Sequence, residues 1–148
     1  MQRAPVRCMT PEDLKERTTA LAVEVVKFCR TLRRQPEARQ IADQLSDSAT
    51  ATASNYRAAC RARSKKEFIS KLAVAVEEAD ESVGWLDIIL RADLTSADEP
   101  KALMREAREV LAILAASRRT AEGRNDQKLP RRPSISNDSI PQSSINHQ

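Results

Sequence analysis

Along most of this chain the apolar residues recur at alternating steps of three and four, the period of helices that pack one face against a neighbour. The first stripe runs Leu14, Thr18, Leu21, Val25, Phe28 and Leu32, and Val23, Val26 and Cys29 widen it. Its start reads Thr10-Pro11-Glu12-Asp13. That order gives an N-cap hydroxyl, a proline at the first helical position, and acids at the positive end of the dipole. Arg30, Arg33 and Arg34 crowd the other end before Pro36, so the pattern predicts a helix over about 11–34.

A second stripe, Ile41, Leu45, Ala49, Thr52, Tyr56 and Ala59, predicts a helix over about 37–61. Ser46, Ser48, Thr50, Thr52 and Ser54 are poor interior helix residues and on their own would suit a strand or loop. Alanines interleave with them and no glycine or proline interrupts. The helical reading therefore holds, and the narrow side chains would let helices approach closely.

Ser64 and Glu67 have capping-box spacing, with Glu67 expected to reach back to the Ser64 amide, and they open a helix over about 65–92. It carries two stripes. One is Phe68, Leu72, Ala75, Ala79, Ser82, Leu86 and Ile89; the other is Ile69, Val76, Val83 and Leu90. Two stripes require two neighbours, so this helix is either central or shared between the core and a subunit interface. Gly84 in its middle costs about 1 kcal/mol relative to alanine, which suggests that a backbone or a ring such as Trp85 of a neighbour needs the space. Ser96, Glu99 and Pro100 open a last helix over about 99–122, with Leu103, Ala107, Val110, Leu114 and Ser117 inward, Met104, Leu111 and Ile113 beside them, and Gly123 as its C′ residue.

Four helices with short joints predict an all-α protein, an antiparallel up-down-up-down four-helix bundle over residues 10–123. Residues 1–9 read as a flexible lead. Residues 124–148, with Pro130, Pro133 and Pro141 among Ser, Asn and Gln, read as a disordered C-terminal tail, because they cannot bury enough apolar area to offset ordering entropy. Composition agrees: of 148 residues only two are glycine and four aromatic (Phe28, Tyr56, Phe68, Trp85). A core of Leu, Ile, Val and Ala suits close helix packing better than a deep ligand pocket.

Catalysis has few candidates. His147 is the one histidine and falls in the expected tail, so no serine or cysteine has a structured imidazole base. Glu77, Glu78, Asp80, Glu81 and Asp87 lack the Glu-x-x-His pairs of a di-iron site, and there is no Gly-rich phosphate loop. The expectation is a protein with no catalytic residues, cofactor or metal. Cys8, Cys29 and Cys60 have neither disulfide-framework nor metal-knuckle spacing and are expected to be small buried hydrophobes. With no signal-peptide pattern and no run of eighteen apolar residues, a cytoplasmic protein without membrane contact is expected.

The formal charge of +4 points to position more than to sum. In an antiparallel bundle one pole gathers Arg57, Arg61, Arg63, Lys65, Lys66, Arg118 and Arg119, with Arg3 and Arg7 nearby. Such a patch could contact phosphates in a salt-dependent way. The competing arrangement has the same side chains solvating the pole and pairing with Glu12, Asp13, Glu16 and Glu122. Tyr56 is the one interleaved aromatic, so base stacking would be weak.

The residues Gln44-Leu45, Ser48-Ala49, Asn55, Ser64 with Glu67-Phe68, Leu72, Ala75, Glu81 and Leu86 resemble the four-helix-bundle family first named for proteins encoded in intervening sequences of 23S ribosomal RNA genes. The segment Asn55 to Ser64 is similar to one branch of it, and the likeness covers about residues 14–120. Where many members have a Glu-Gly pair after the asparagine segment, this chain has Ala58-Ala59, so no role of that glutamate carries over. The resemblance implies a homopentameric ring, with Ile69, Val76, Val83, Trp85 and Leu90 as the interface candidates. A related branch, the accessory variability determinant of diversity-generating retroelements, implies RNA or DNA, or a nucleic-acid-processing protein such as a reverse transcriptase, as partner. The expected function is a non-enzymatic adaptor working through the basic pole; the alternative is a protein-interaction module that binds no nucleic acid.

Overall fold

The computed structural model describes residues 9–96 and 98–126, and within them four helices carry the fold. Helix α1 spans Pro11–Leu32, a single 3-10 turn Pro36–Ala38 leads into α2 at Arg39–Cys60, α3 spans Lys65–Arg91, and α4 spans Glu99–Asp126. Two cross-helix pairs fix the direction of the first two helices. Arg33 meets Asp43 and Arg57 meets Thr19, so α1 and α2 are antiparallel. Ser48 meets Ser82 across α2 and α3, and Arg17 meets Glu106 across α1 and α4. No helix of the described residues is long and apolar enough to cross a membrane. Residues 1–8 of the expected lead and the expected tail from 127 onward lie outside the described residues.

The helix ends follow local chemistry. Thr10 and Asp13 form a complete reciprocal box: the Asp13 amide donates to Thr10 Oγ1 at 3.1 Å and the Thr10 amide to Asp13 Oδ2 at 2.9 Å. At α3 only half the expected box forms. Ser64 Oγ accepts from the Glu67 amide at 3.0 Å, but the Glu67 carboxylate takes the Arg63 amide at 2.9 Å instead of that of Ser64. The side chain thereby stitches the joint one residue further back. At α4 the cap is Asp98, not Ser96, since its carbonyl accepts from Lys101 and Ala102. Gly123 is not a C′ residue either: α4 continues through it to Asp126, and no glycine among the described residues has positive φ. The left-handed position belongs to Asp93, with φ 48°. There Leu94 donates to Ile89 and Asp93 to Leu90, a Schellman closure with Leu94 packed on the core.

Every residue of the leading stripe on α1 is buried, as are Leu72, Ala75, Ala79, Ser82, Leu86 and Ile89 on α3. The α2 stripe is buried from Leu45 to Ala59, with Ala38, Ala42 and Ser48 completing it. The second stripe of α3 is half-buried: Val76, Val83 and Leu90 pack against the chain's own core. Helix α3 packs against both α2 and α4 and so has two neighbours within the monomer. Two side chains break the pattern. Val23, expected to widen the α1 stripe, is 46% exposed, and Ile88 on α3 is 42% exposed. A Cβ built on Gly84 would meet nothing within 4 Å, so nothing in this chain requires its smallness.

Candidate functional site

The α2–α3 joint lies beside a concavity. An open pocket of about 600 Å³ is lined by Pro11 of α1, Tyr56, Ala59 and Cys60 of α2, Ala62, Arg63 and Ser64 of the joint, Lys65 and Phe68 of α3, and Ser117 of α4. The starts of α1 and α3, the end of α2 and the flank of α4 at Ser117 therefore meet around one concavity. The seven basic side chains assigned to this end decide its charge.

Those side chains are mostly uncommitted. Arg57, Arg61, Arg63, Lys65, Lys66 and Arg119 are exposed and Arg118 is half-buried. Among the described residues Arg118 alone of the seven forms an ion pair, with Glu122 at 2.8 Å. Glu12 is held by Lys15 instead, and Arg57 donates to the hydroxyl of Thr19 at 3.3 Å. The competing arrangement, in which local acids neutralise the pole, is thus realised at one position.

Four of the seven residues fall into two groups, and Lys66, Arg118 and Arg119 line neither space. Arg63 and Lys65 line the pole pocket, whereas Arg57 and Arg61 line a separate groove between α1 and α2, together with Lys27 and Arg30. Sequence reasoning assigned Arg30 to the helix dipole and left Lys27 aside. Their spacing from Val23, four and seven residues on, was the available signal, since it puts all three on one face.

The sequence of this bundle matches the profile of 23S rRNA-intervening sequence proteins over residues 13–116. The chain belongs to that family. No curated protein matches it. The fold of this 23S rRNA-intervening sequence family member is similar to a crystal structure from Bacteroides thetaiotaomicron, a protein of unknown function from the S23 ribosomal protein family. The two are 24% identical, with 74% of this chain and 97% of that one covered and a TM-score of 0.69, which fixes the fold alone.

In this family member Tyr56 is not available to stack on a base. It is 5% exposed, with its hydroxyl directed at the Pro11 carbonyl at 3.5 Å. Burial foremost, with the neighbouring Cys60 and Glu12 adding to it, pushes its phenol well above the usual tyrosine range. Cys60, expected to be buried, is exposed: it is the last residue of α2 and lines the open pocket. Cys29 is buried as expected, and burial pushes its thiol up to about 11. Of the interface candidates, Ile69 is half-buried, Val76, Val83 and Leu90 pack on the core, and Trp85 packs partly on the core while lining a shallow groove with Gln44, Glu81, Gly84 and Ile88. No three His, Cys, Asp or Glu side chains converge to hold a metal among the described residues.

Proposed function

We propose that this protein is a non-enzymatic, homo-oligomeric adaptor that holds nucleic acid by its phosphates through the basic pole. One observation carries the reading: Arg63 and Lys65 line the pole pocket, Arg57 and Arg61 line the neighbouring groove, and of the seven basic residues all but Arg118 lack an ion-pair partner among the described residues. Charges that already have partners gain little from a phosphate, whereas free ones release counterions and bind in a salt-dependent way. With Tyr56 buried, contact is to the backbone and not to base faces, so binding is insensitive to sequence. Repetition of the pole in an oligomer multiplies the phosphates held.

Anisotropy of a fluorescent single-stranded RNA, titrated with protein at several salt concentrations, tests this. Affinity should fall linearly with salt on logarithmic axes. Arg63→Glu with Lys66→Glu should weaken binding at least tenfold and flatten the slope by about two, one for each phosphate no longer neutralised. Absent affinity, or affinity indifferent to both variant and salt, overturns it. The apolar groove between α1 and α2 favours the second reading, a protein-interaction module, which a partner retained through nuclease and high salt without any RNA affinity would establish.

A further inference from the structure

Between α1 and α2 lies an open groove of about 530 Å³, lined by these two helices and by Arg61 at the end of α2. Its middle is apolar. Ala22, Val23, Val26 and Ala53 form the floor, and Val23 is among the most exposed large hydrophobic side chains described. The hydroxyls beside this floor turn back on their own helices: Thr19 donates to the Lys15 carbonyl, Thr50 to those of Ser46 and Asp47, and Ser54 to that of Ala51. They offer a ligand no free donor.

The charge sits at the two ends. Arg57 meets Thr19 and Arg33 meets Asp43, so the antiparallel register puts Arg57 and Arg61 at one end of the groove and Arg30 at the other, with Lys27 one turn inside it. Thr19 and Arg30 are eleven residues apart on α1, about 16 Å along the helix axis. No carboxylate lines the groove among the described residues. Lys27 is paired at 2.7 Å with Glu24, which lines the groove beside α4, while Arg30 and Arg61 have no ion pair among the described residues.

That layout discriminates between occupants. A chain of phosphates would match the ends and leave the valines in water. A wholly apolar helix would cover the valines but desolvate Arg30 and Arg57 without partners. An extended peptide finds no sheet edge to join, since both walls are helices. An amphipathic helix laid along the seam meets each demand. The small floor residues let its axis approach, and residues eleven apart on a helix lie within about 20° of one face. Residues 1–8 and 127–148 of this chain do not supply it, since basic side chains outnumber acidic ones in both.

We propose that the α1/α2 groove receives an amphipathic helix of another protein, with acidic residues at positions i and i+11 and large apolar residues at i+4, i+7 and i+8. The apolar residues cover Val23 and Val26, one acid pairs with Arg30, and the other pairs with Arg57 and Arg61. The site gives the adaptor a protein to hold beside its nucleic acid; it rests on the adaptor reading for its role, not for its binding.

A fluorescein-labelled peptide of about eighteen residues, based on alanine and glutamine with glutamates at i and i+11 and leucines at i+4, i+7 and i+8, is the probe. Anisotropy against the full chain should show saturable binding. Val23→Glu, and separately Arg30→Glu with Arg57→Glu, should each weaken it at least tenfold, with circular dichroism verifying that the variants are folded. The same peptide with lysines at i and i+11 should bind the doubly reversed variant at least tenfold better than it binds wild type. The pole variant Arg63→Glu with Lys66→Glu should bind the acidic peptide as wild type does, and Val23→Glu should keep the wild-type affinity for RNA, so failure in the groove and failure at the pole read separately. No binding at about 1 mM protein overturns the site. So does equal binding of a peptide whose leucines are scattered around the helix, binding that neither groove variant alters, or a lysine peptide that gains nothing. Loss of RNA affinity in Val23→Glu would assign the groove to nucleic acid, and a changed light-scattering mass would assign it to a second copy; either result overturns the proposal.

Discussion

The bundle closes its two outer seams by different means. Between α2 and α3 the side chains are small, and at the centre Ser48 and Ser82 share a hydrogen bond of 2.9 Å with no access to water. Each hydroxyl also has a backbone carbonyl, Leu45 at 3.2 Å and Glu78 at 3.0 Å. Between α1 and α4 the helices stand further apart over a groove, and Arg17 spans it to Glu106 at 2.6 Å and to Glu109. The first seam gains from exclusion of water and close packing, so a small change of shape is costly. The second relies on a long, partly solvated side chain that can readjust, so loss of its charge is cheaper.

That contrast can be broken in order of cost. Leu45→Ala, at a fully buried position of α2, should destabilise by about 2–5 kcal/mol in urea unfolding, since the close-packed seam cannot collapse into the space left. Ser82→Ala should cost about 1–2 kcal/mol, and a double-mutant cycle with Ser48→Ala should show coupling of about 0.5 kcal/mol or more. A coupling of zero would mean that the two hydroxyls are held by their own helices alone. Gly84→Ala, at the open rim of the same seam, should stabilise the monomeric chain by about 1 kcal/mol, because a Cβ finds free space and the helix loses a flexible residue. Arg17→Met, which keeps the stem but not the charge, should cost at most about 1 kcal/mol, less at high salt.

Acid should also separate the seams. Arg17 holds the Glu106 carboxyl below its ordinary range, first through their hydrogen bond. A depressed folded pKa contributes stability that is complete above the unfolded carboxylate range and is lost as pH falls through the folded value. Glu78, at the rim of the α2/α3 seam, has the opposite sign. Its pKa is raised chiefly by burial, so its ionised form costs stability at neutral pH, and that cost is relieved as pH falls through the raised value. Glu78→Gln should therefore stabilise the protein at pH 7 and abolish the mild-acid gain, whereas Glu106→Gln should leave that gain and remove part of the loss at lower pH. Thermal melts across pH decide both.

Much of the fold was legible because burial on a helix follows a period. The stripes from Leu14 to Leu32 and from Leu72 to Ile89 fell where the three-four spacing put them. Ser48 to Ser54 were readable as helix only through what was missing, namely glycine and proline. What misled was local chemistry with several solutions. Ser96 and Glu99 have the spacing of a cap, yet the cap is Asp98; Gly123 resembles a stop, yet helical dihedrals cost glycine little near a helix end. The basic pole was legible from topology, since antiparallel helices bring predictable ends together. Its division into a pocket and a groove was not, because the rotation of α1 against α2 decides which arginines look into which space.

By itself the sequence determined the number of helices, their approximate limits, their inward faces and the sign of the charge at one pole. These depend on periodicity and end chemistry, which are local. Tertiary structure alone decided that Val76, Val83 and Leu90 of the second α3 stripe pack on the chain's own core, that Tyr56 is sealed against Pro11, and that Val23 and Ile88 remain in water. Each of these depends on how far apart and at what rotation two helices settle. That balance is set by the summed packing of many side chains and is written in no single stretch of the chain.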